Sequence, residues 1–222
     1  MQRASQPRRA PPPLVIGVLG GIASGKSSVA RLLAGSDGVL IDADRVAREV
    51  LQTEEVRALL AQAFGPTLFT VKGTIDRELL AKRVFASEAD RKRLEAFTHP
   101  RIRARIRALL EEARARRAPR VVLDVPLLLE NEAQHGLAAE CHELVFVDSP
   151  LAARDARAAT SRAWASGEVA RREAAQLSLE QKRQRANYVI DNSKSAGELE
   201  AEVARFREKL ALRWPVRKPD PN

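Results

Sequence analysis

Between an apolar run, Leu14 to Leu19, and an amphipathic stretch starting near Lys26 lie eight residues, Gly20-Gly21-Ile22-Ala23-Ser24-Gly25-Lys26-Ser27, that fit the pattern GxxxxGK[ST]. Few folds accept such a segment. A strand has to turn through a glycine-rich loop directly into a helix, and the loop's backbone N–H groups then gather at the helix's positive end. In that setting Lys26 neutralises the outer phosphates of a nucleoside triphosphate and the Ser27 hydroxyl can ligate Mg²⁺. The competing reading is an ordinary glycine-rich strand-to-helix turn, which makes no use of the lysine.

The rest of the chain is patterned to match. Short apolar runs at Leu14 to Leu19, Val39 to Ile41, Arg120 to Leu123, Leu144 to Val147 and Tyr188 to Ile190 are separated by helical stretches. Runs that are apolar throughout are strands buried on both faces, so the pattern predicts an α/β fold with a parallel five-stranded sheet flanked by helices. Ligands in such folds bind outside the carboxyl ends of the strands, where the motifs of this chain fall. Segments 14–44, 118–150 and 177–212 form the expected nucleotide-binding core. Residues 45–117, too long for a simple crossover, read as a helical insert broken at Phe64-Gly65-Pro66 and at Thr98-His99-Pro100. Residues 151–176, punctuated by arginines at 154, 157, 162, 171 and 172 with Ser166-Gly167 as a turn, read as a lid. Residues 1–13 and 213–222 are proline-rich and charged, the composition of poorly ordered tails.

Composition narrows the function classes. No apolar stretch approaches the roughly 20 residues a membrane helix needs, and the first residues lack the form of a secretory signal. Cys141 is the only cysteine, so no intrachain disulfide can form, which suits a reducing cytoplasm; its expected role is that of a small apolar residue. A net charge of +9 favours anionic ligands, or reflects arginine-rich helices alone. Aromatic residues make up only 4% of the chain and basic residues alternate with glutamates, so the stacking platforms of a nucleic-acid binder are missing. No cysteine/histidine cluster offers a zinc site. Without a long heptad pattern the expected state is a monomer.

Asp42-Ala43-Asp44 follows the second strand. On an extended chain residues two apart face the same side, so both carboxylates could address the phosphate loop, one accepting a proton and the other orienting metal-bound water. Alternatively Asp44 only caps the next helix. Asp124 ends the run Val121-Val122-Leu123, either to hold Mg²⁺ or as a turn former before Val125-Pro126. The lid arginines can clamp phosphates or face solvent. His99, before Pro100, fits a turn histidine as well as a functional one, and His135 and His142 have no ligand-like spacing.

Taken together, VIGVLGGIASGKSSVA, IDADRVARE, THPRIR, VVLDVPLLLE and ANYVIDNS, in this order, resemble the dephospho-coenzyme A kinases from about Leu14 to Leu210. The resemblance implies a P-loop kinase fold with a helical, coenzyme A-binding insert and a lid. It also implies ATP-dependent phosphorylation of the ribose 3′-hydroxyl of dephospho-coenzyme A, with ATP and Mg²⁺ as donor and cofactor. Carried over by residue, it puts ATP on Gly20, Gly21 and Ala23 to Ser28 (Ala23, Ser24, Gly25, Lys26, Ser27, Ser28) and on Asn192. The general base becomes Asp44, with Lys26 and the lid arginine Arg157 catalytic. Asp42, Asp44, His99, Pro126, Leu127, Glu130 and Arg162 fall near the acceptor, and Ser27 and Asp124 near the metal. Three positions depart from the family's pattern. Leu19 stands where Thr is common, Ala23 where Gly is frequent, and Asn187 where Asp is usual. The alternatives weighed were a kinase of nucleosides or nucleoside monophosphates, disfavoured by DAD with HP, and a guanine-nucleotide switch, disfavoured because NKxD and DxxG are absent.

Overall fold

The computed structural model describes residues 12–214. The expected tails at 1–13 and 213–222 lie, apart from their innermost residues, outside that range. All five expected strands form: β1 Leu14–Gly20, β2 Val39–Asp42, β3 Arg120–Asp124, β4 Glu143–Asp148 and β5 Tyr188–Asp191. They lie in the order β2-β3-β1-β4-β5, with β1 parallel to both β3 and β4. The chain turns one way from β1 to β2 and the other way from β3 to β4. The loops after β1 and β3 therefore diverge at the carboxyl edge, the position such sheets use for ligands.

The helices are α1 Lys26–Ala34, α2 Ala43–Leu51, α3 Glu54–Phe64, α4 Arg77–Ala86, α5 Glu88–Ala115, α6 Glu132–His135, α7 Leu151–Arg162, α8 Glu168–Glu173, α9 Leu179–Arg185 and α10 Ala196–Arg213. Two compact units result, one of the described residues up to Leu40 with those from Glu111 onward, the other Ile41–Leu110. In the first, every residue of β1 is buried. Val29, Ala30 and Leu33 of α1 and Leu199, Val203, Phe206 and Leu210 of α10 pack with Ile16, Val18, Val145, Val147 and Ile190, the helical residues recurring at three- and four-residue intervals as one face requires. Ser195 and Glu198 close a reciprocal capping box that starts α10. Asn187, one of the departures from the family pattern, accepts from the Leu144 amide through Oδ1 at 2.8 Å and ties the start of β4 to that of β5.

In the second unit Thr53 and Asp76 cap α3 and α4 through their side-chain oxygens. Gly65, at φ 84°, ends α3 where the sequence predicts a break. The second predicted break does not occur. Helix α5 runs through Thr98-His99-Pro100 with Pro100 inside it. Proline deletes one intrahelical donor, and neighbouring side chains turn to the local carbonyls. Thr98 Oγ1 donates to Leu94 O at 2.9 Å and the Arg101 guanidinium to Phe97 O at 2.7 Å.

Candidate active site

The loop from β1 to α1 reverses its backbone hand repeatedly. Gly20 has φ 149°, Ala23 φ 57° and Gly25 φ 92°, an alternation that turns successive amides toward one concavity. Helix α1 then starts with no side-chain cap and no acidic residue in its first turn, leaving its positive end open to an anion. Gly25 is required twice. Its conformation is left-handed, and a Cβ there would run into the side-chain nitrogen of Asn192. Ala23 does occupy the left-handed region, so the family's frequent glycine at this place has a conformational reason and alanine carries the strain.

Lys26 lies half-buried, its Nζ donating to Gly21 O at 2.6 Å and Gly20 O at 3.3 Å. Burial pushes its pKa down from 10.5 to about 8; Asp124 opposes that shift and Lys182 adds to it. Between those two pH values the unfolded chain holds more protons, so this group's contribution to stability rises with pH there. Asp124 is buried at the end of β3, adjacent to β1, so it and Lys26 share the carboxyl edge. Ser27 and Ser28 are exposed in the first turn of α1, whereas Ser24 Oγ is buried without a partner, an acceptor-hungry hydroxyl inside the loop.

Asn192 follows β5 and is buried; its Nδ2 donates to Ser24 O at 2.7 Å. The Asn192 carbonyl accepts from Arg157 at 2.8 Å. Arg157 also donates to Ser149 Oγ at 2.8 Å, with Ala23 O and Ser24 O at 3.4 and 3.5 Å. The residue expected as the phosphoryl-facing lid arginine therefore braces the loop's carbonyls from α7. Arg162, at the end of α7, is exposed with its guanidinium 4.8 Å from the Trp164 ring centre, and Arg172 covers that ring at 4.2 Å. Its charge is one of those acting on Lys26. The predicted turn at Ser166-Gly167 separates α7 from α8, with Ala163 and Gly167 both left-handed.

After β3, Pro126 and Leu127 are exposed and Leu127 holds φ 55°, a second strained non-glycine residue beside the carboxyl edge. Glu130 pairs with buried Lys182 of α9 at 2.7 Å, and Lys182 also donates to Gln176 Oε1 at 2.9 Å. Arg154 appears in the sequence reading among the lid arginines, whereas Lys182 and Glu173 are residues here that sequence reasoning leaves out of the site. Each is one charge among many on a short, charge-rich helix, and no local pattern marks it.

In the second unit Asp42 and Asp44 do not face one side of an extended chain. The strand ends at Asp42, whose Oδ1 accepts from the Arg45 amide at 2.9 Å and caps α2, while Asp44 is an exposed first-turn residue. The two-residue period ends at the strand's last residue, so the cap falls on Asp42 and leaves Asp44 free of that duty. His99 is exposed on α5.

The site's ion donors suit a hard cation. Ser27 and Asp124 carry the oxygen atoms such an ion would take, and among the described residues no group of three or more histidine, cysteine, aspartate or glutamate side chains is placed to hold a metal. No described helix is long and apolar enough to cross a membrane.

The family model described as dephospho-CoA kinase (CoaE) matches residues 14–198. The dephospho-CoA kinase of Thermobifida fusca is 41% identical over 202 residues, 90% of this chain and 98% of that protein. That of Deinococcus radiodurans is 42% identical over 212 residues, 96% of this chain and 100% of the other. A crystal structure of a Thermus thermophilus protein superposes with a TM-score of 0.68 at 34% identity, covering 91% of this chain and 98% of that one. The dephospho-CoA kinase of Campylobacter jejuni, at 22% identity and a TM-score of 0.65 over 88% of this chain and 96% of its own, shares the fold. The chain belongs to the dephospho-CoA kinase family, the ATP-dependent enzymes of the final step of coenzyme A biosynthesis.

Proposed function

We propose that this chain transfers the ATP γ-phosphoryl group directly to the acceptor hydroxyl, with no phosphoenzyme, as a single copy in the cytoplasm. The observation that carries the donor half is the loop itself: three residues at positive φ, an uncapped helix start and a half-buried lysine whose pKa burial pushes down. Lys26 neutralises charge on the transferring group. Ser27 and Asp124 would hold Mg²⁺, which supplies charge neutralisation at the phosphates. Arg157 and Asn192 keep the loop in shape on the nucleotide side, and Arg162, exposed as Arg171 and Arg172 are, is assigned to reach phosphate. Glu130, anchored by Lys182, and the exposed Pro126 and Leu127 are assigned to the acceptor with His99.

Asp44 is assigned as the base that takes the acceptor proton, and Asp42 as its support through the cap that fixes the first turn of α2. Asp44→Asn should retain ATP binding and lose on the order of a hundredfold or more in turnover. A coupled ADP-release assay with dephospho-coenzyme A, a nucleoside monophosphate or no acceptor checks both points. Near-normal turnover of the Asn variant removes Asp44 from the role, and acceptor-independent ADP release removes the direct-transfer reading.

A further inference from the structure

The phosphate loop already has an anionic oxygen on it. Glu173, the last residue of α8, accepts from the Ile22 amide at 2.6 Å and from the Arg154 guanidinium at 2.5 Å through the same Oε1. Arg154 is almost wholly buried and is itself fixed by donation to Ser149 O at 3.0 Å. The approach is possible because residue 21 is glycine; a Cβ there would lie 2.6 Å from both Glu173 Oε1 and Arg154 Nη1. One amide of the anion-binding loop and one buried arginine thus hold a carboxylate in the manner in which they would hold a phosphate oxygen. On the other side of the same peptide, Lys26 donates to Gly21 O. The Ile22 amide and the Lys26 ammonium are thus both engaged by the protein's own groups.

We propose that Glu173 is a resting-state latch, its carboxylate held at the Ile22 amide and Arg154 in the place of the terminal phosphate of the triphosphate, which displaces it and so frees α8 of the lid from the loop. The Ile22 amide has one N–H, and two anions crowded at that point repel each other, so a phosphate oxygen on it and latched Glu173 exclude each other. A diphosphate, lacking that terminal group, leaves the latch in place. The lid is then released by the nucleotide that can donate a phosphoryl group and not by the spent one. This step rests on ATP as donor, and binding of ATP to the unaltered chain in the same titration checks that separately.

Glu173→Gln keeps the shape and removes the charge. It should bind ATP about tenfold more tightly and change ADP affinity less than twofold, as read by calorimetric titration without acceptor. Unchanged or weaker ATP binding overturns the latch and makes Glu173 a stay for the lid; equal tightening for ATP and ADP overturns it as well, since that is charge removal without exchange at a site. Should the variant fold poorly, the carboxyl ¹³C resonance of Glu173 in the unaltered chain decides. It should move with a non-hydrolysable triphosphate and stay with ADP, and the reverse pattern refutes the exchange.

Discussion

Ala23 sits at φ 57° in the middle of the loop that binds phosphate. An L-residue there crowds its Cβ against the following carbonyl, a cost that glycine avoids. Ala23→Gly should therefore raise stability by about 1 kcal/mol, or a few degrees in thermal midpoint for a chain of this size, as measured by calorimetric or fluorescence melts. A decrease would mean that the loop's native shape needs the alanine methyl. The strained position was legible beforehand only as a departure from a glycine pattern, whereas the strand-to-helix loop ending at Lys26 was legible outright, because its form follows from the local pattern of one segment. Glu173 was not legible. Its partners Ile22 and Arg154 are brought to it by the fold, and a glutamate on an arginine-rich helix looks from sequence like any solvated charge. Asp42 and Asp44 fall between: the carboxylates were evident, but the strand's two-residue period gives way to a helix at Ala43, which passes the cap to Asp42.

The strands were readable because continuous apolar runs leave little choice in a parallel sheet. Helix α5 was harder. Its 28 residues carry Thr98-His99-Pro100, and a proline after a polar pair is ordinarily a stop, yet the helix continues with Thr98 and Arg101 attending to nearby carbonyls. Tertiary packing of the flanking turns, including buried Thr98 and Ile106, outweighs the lost hydrogen bond. Pro100→Ala restores that donor and should stabilise the chain by roughly 1–3 kcal/mol. If Pro100 serves the acceptor, as the assignment of His99 implies, the same variant raises KM for dephospho-coenzyme A severalfold and leaves KM for ATP alone. Melts together with steady-state kinetics separate these effects, and an unchanged acceptor KM would confine Pro100 to structure.

Across the whole molecule, the residues at or near the phosphate loop come from distant points of the sequence, namely the ends of β1, β3 and β5 and helices α7, α8 and α9. Only the parallel order of the sheet places these within reach of one another, which explains why the fold class was easier to read than the full membership of the site. The same sheet holds Cys141 Sγ so close to Gly17 that a Cβ on that glycine would lie 2.8 Å from the sulfur, and Leu128 and Leu144 crowd the same point. Burial pushes the thiol up to about 12, with Glu132 and Glu140 adding to the shift. In the unfolded chain the thiol ionises near 9.0, so folding loses this group's support as pH climbs from 9.0 towards 12. At pH 8 the native thiol is almost all protonated, and its sulfur, on a half-buried residue of the turn before β4, packs against Gly17, so an alkylating reagent should label it fully only when that turn lifts from β1. Labelling in the native state should run orders of magnitude slower than in denaturant and slow further with ATP present; equal rates would mean that the sulfur is reached without opening. The one thiol beside β1 is thus a clock built into the chain, timing how often the turn before β4 comes away from the strand that carries the phosphate loop.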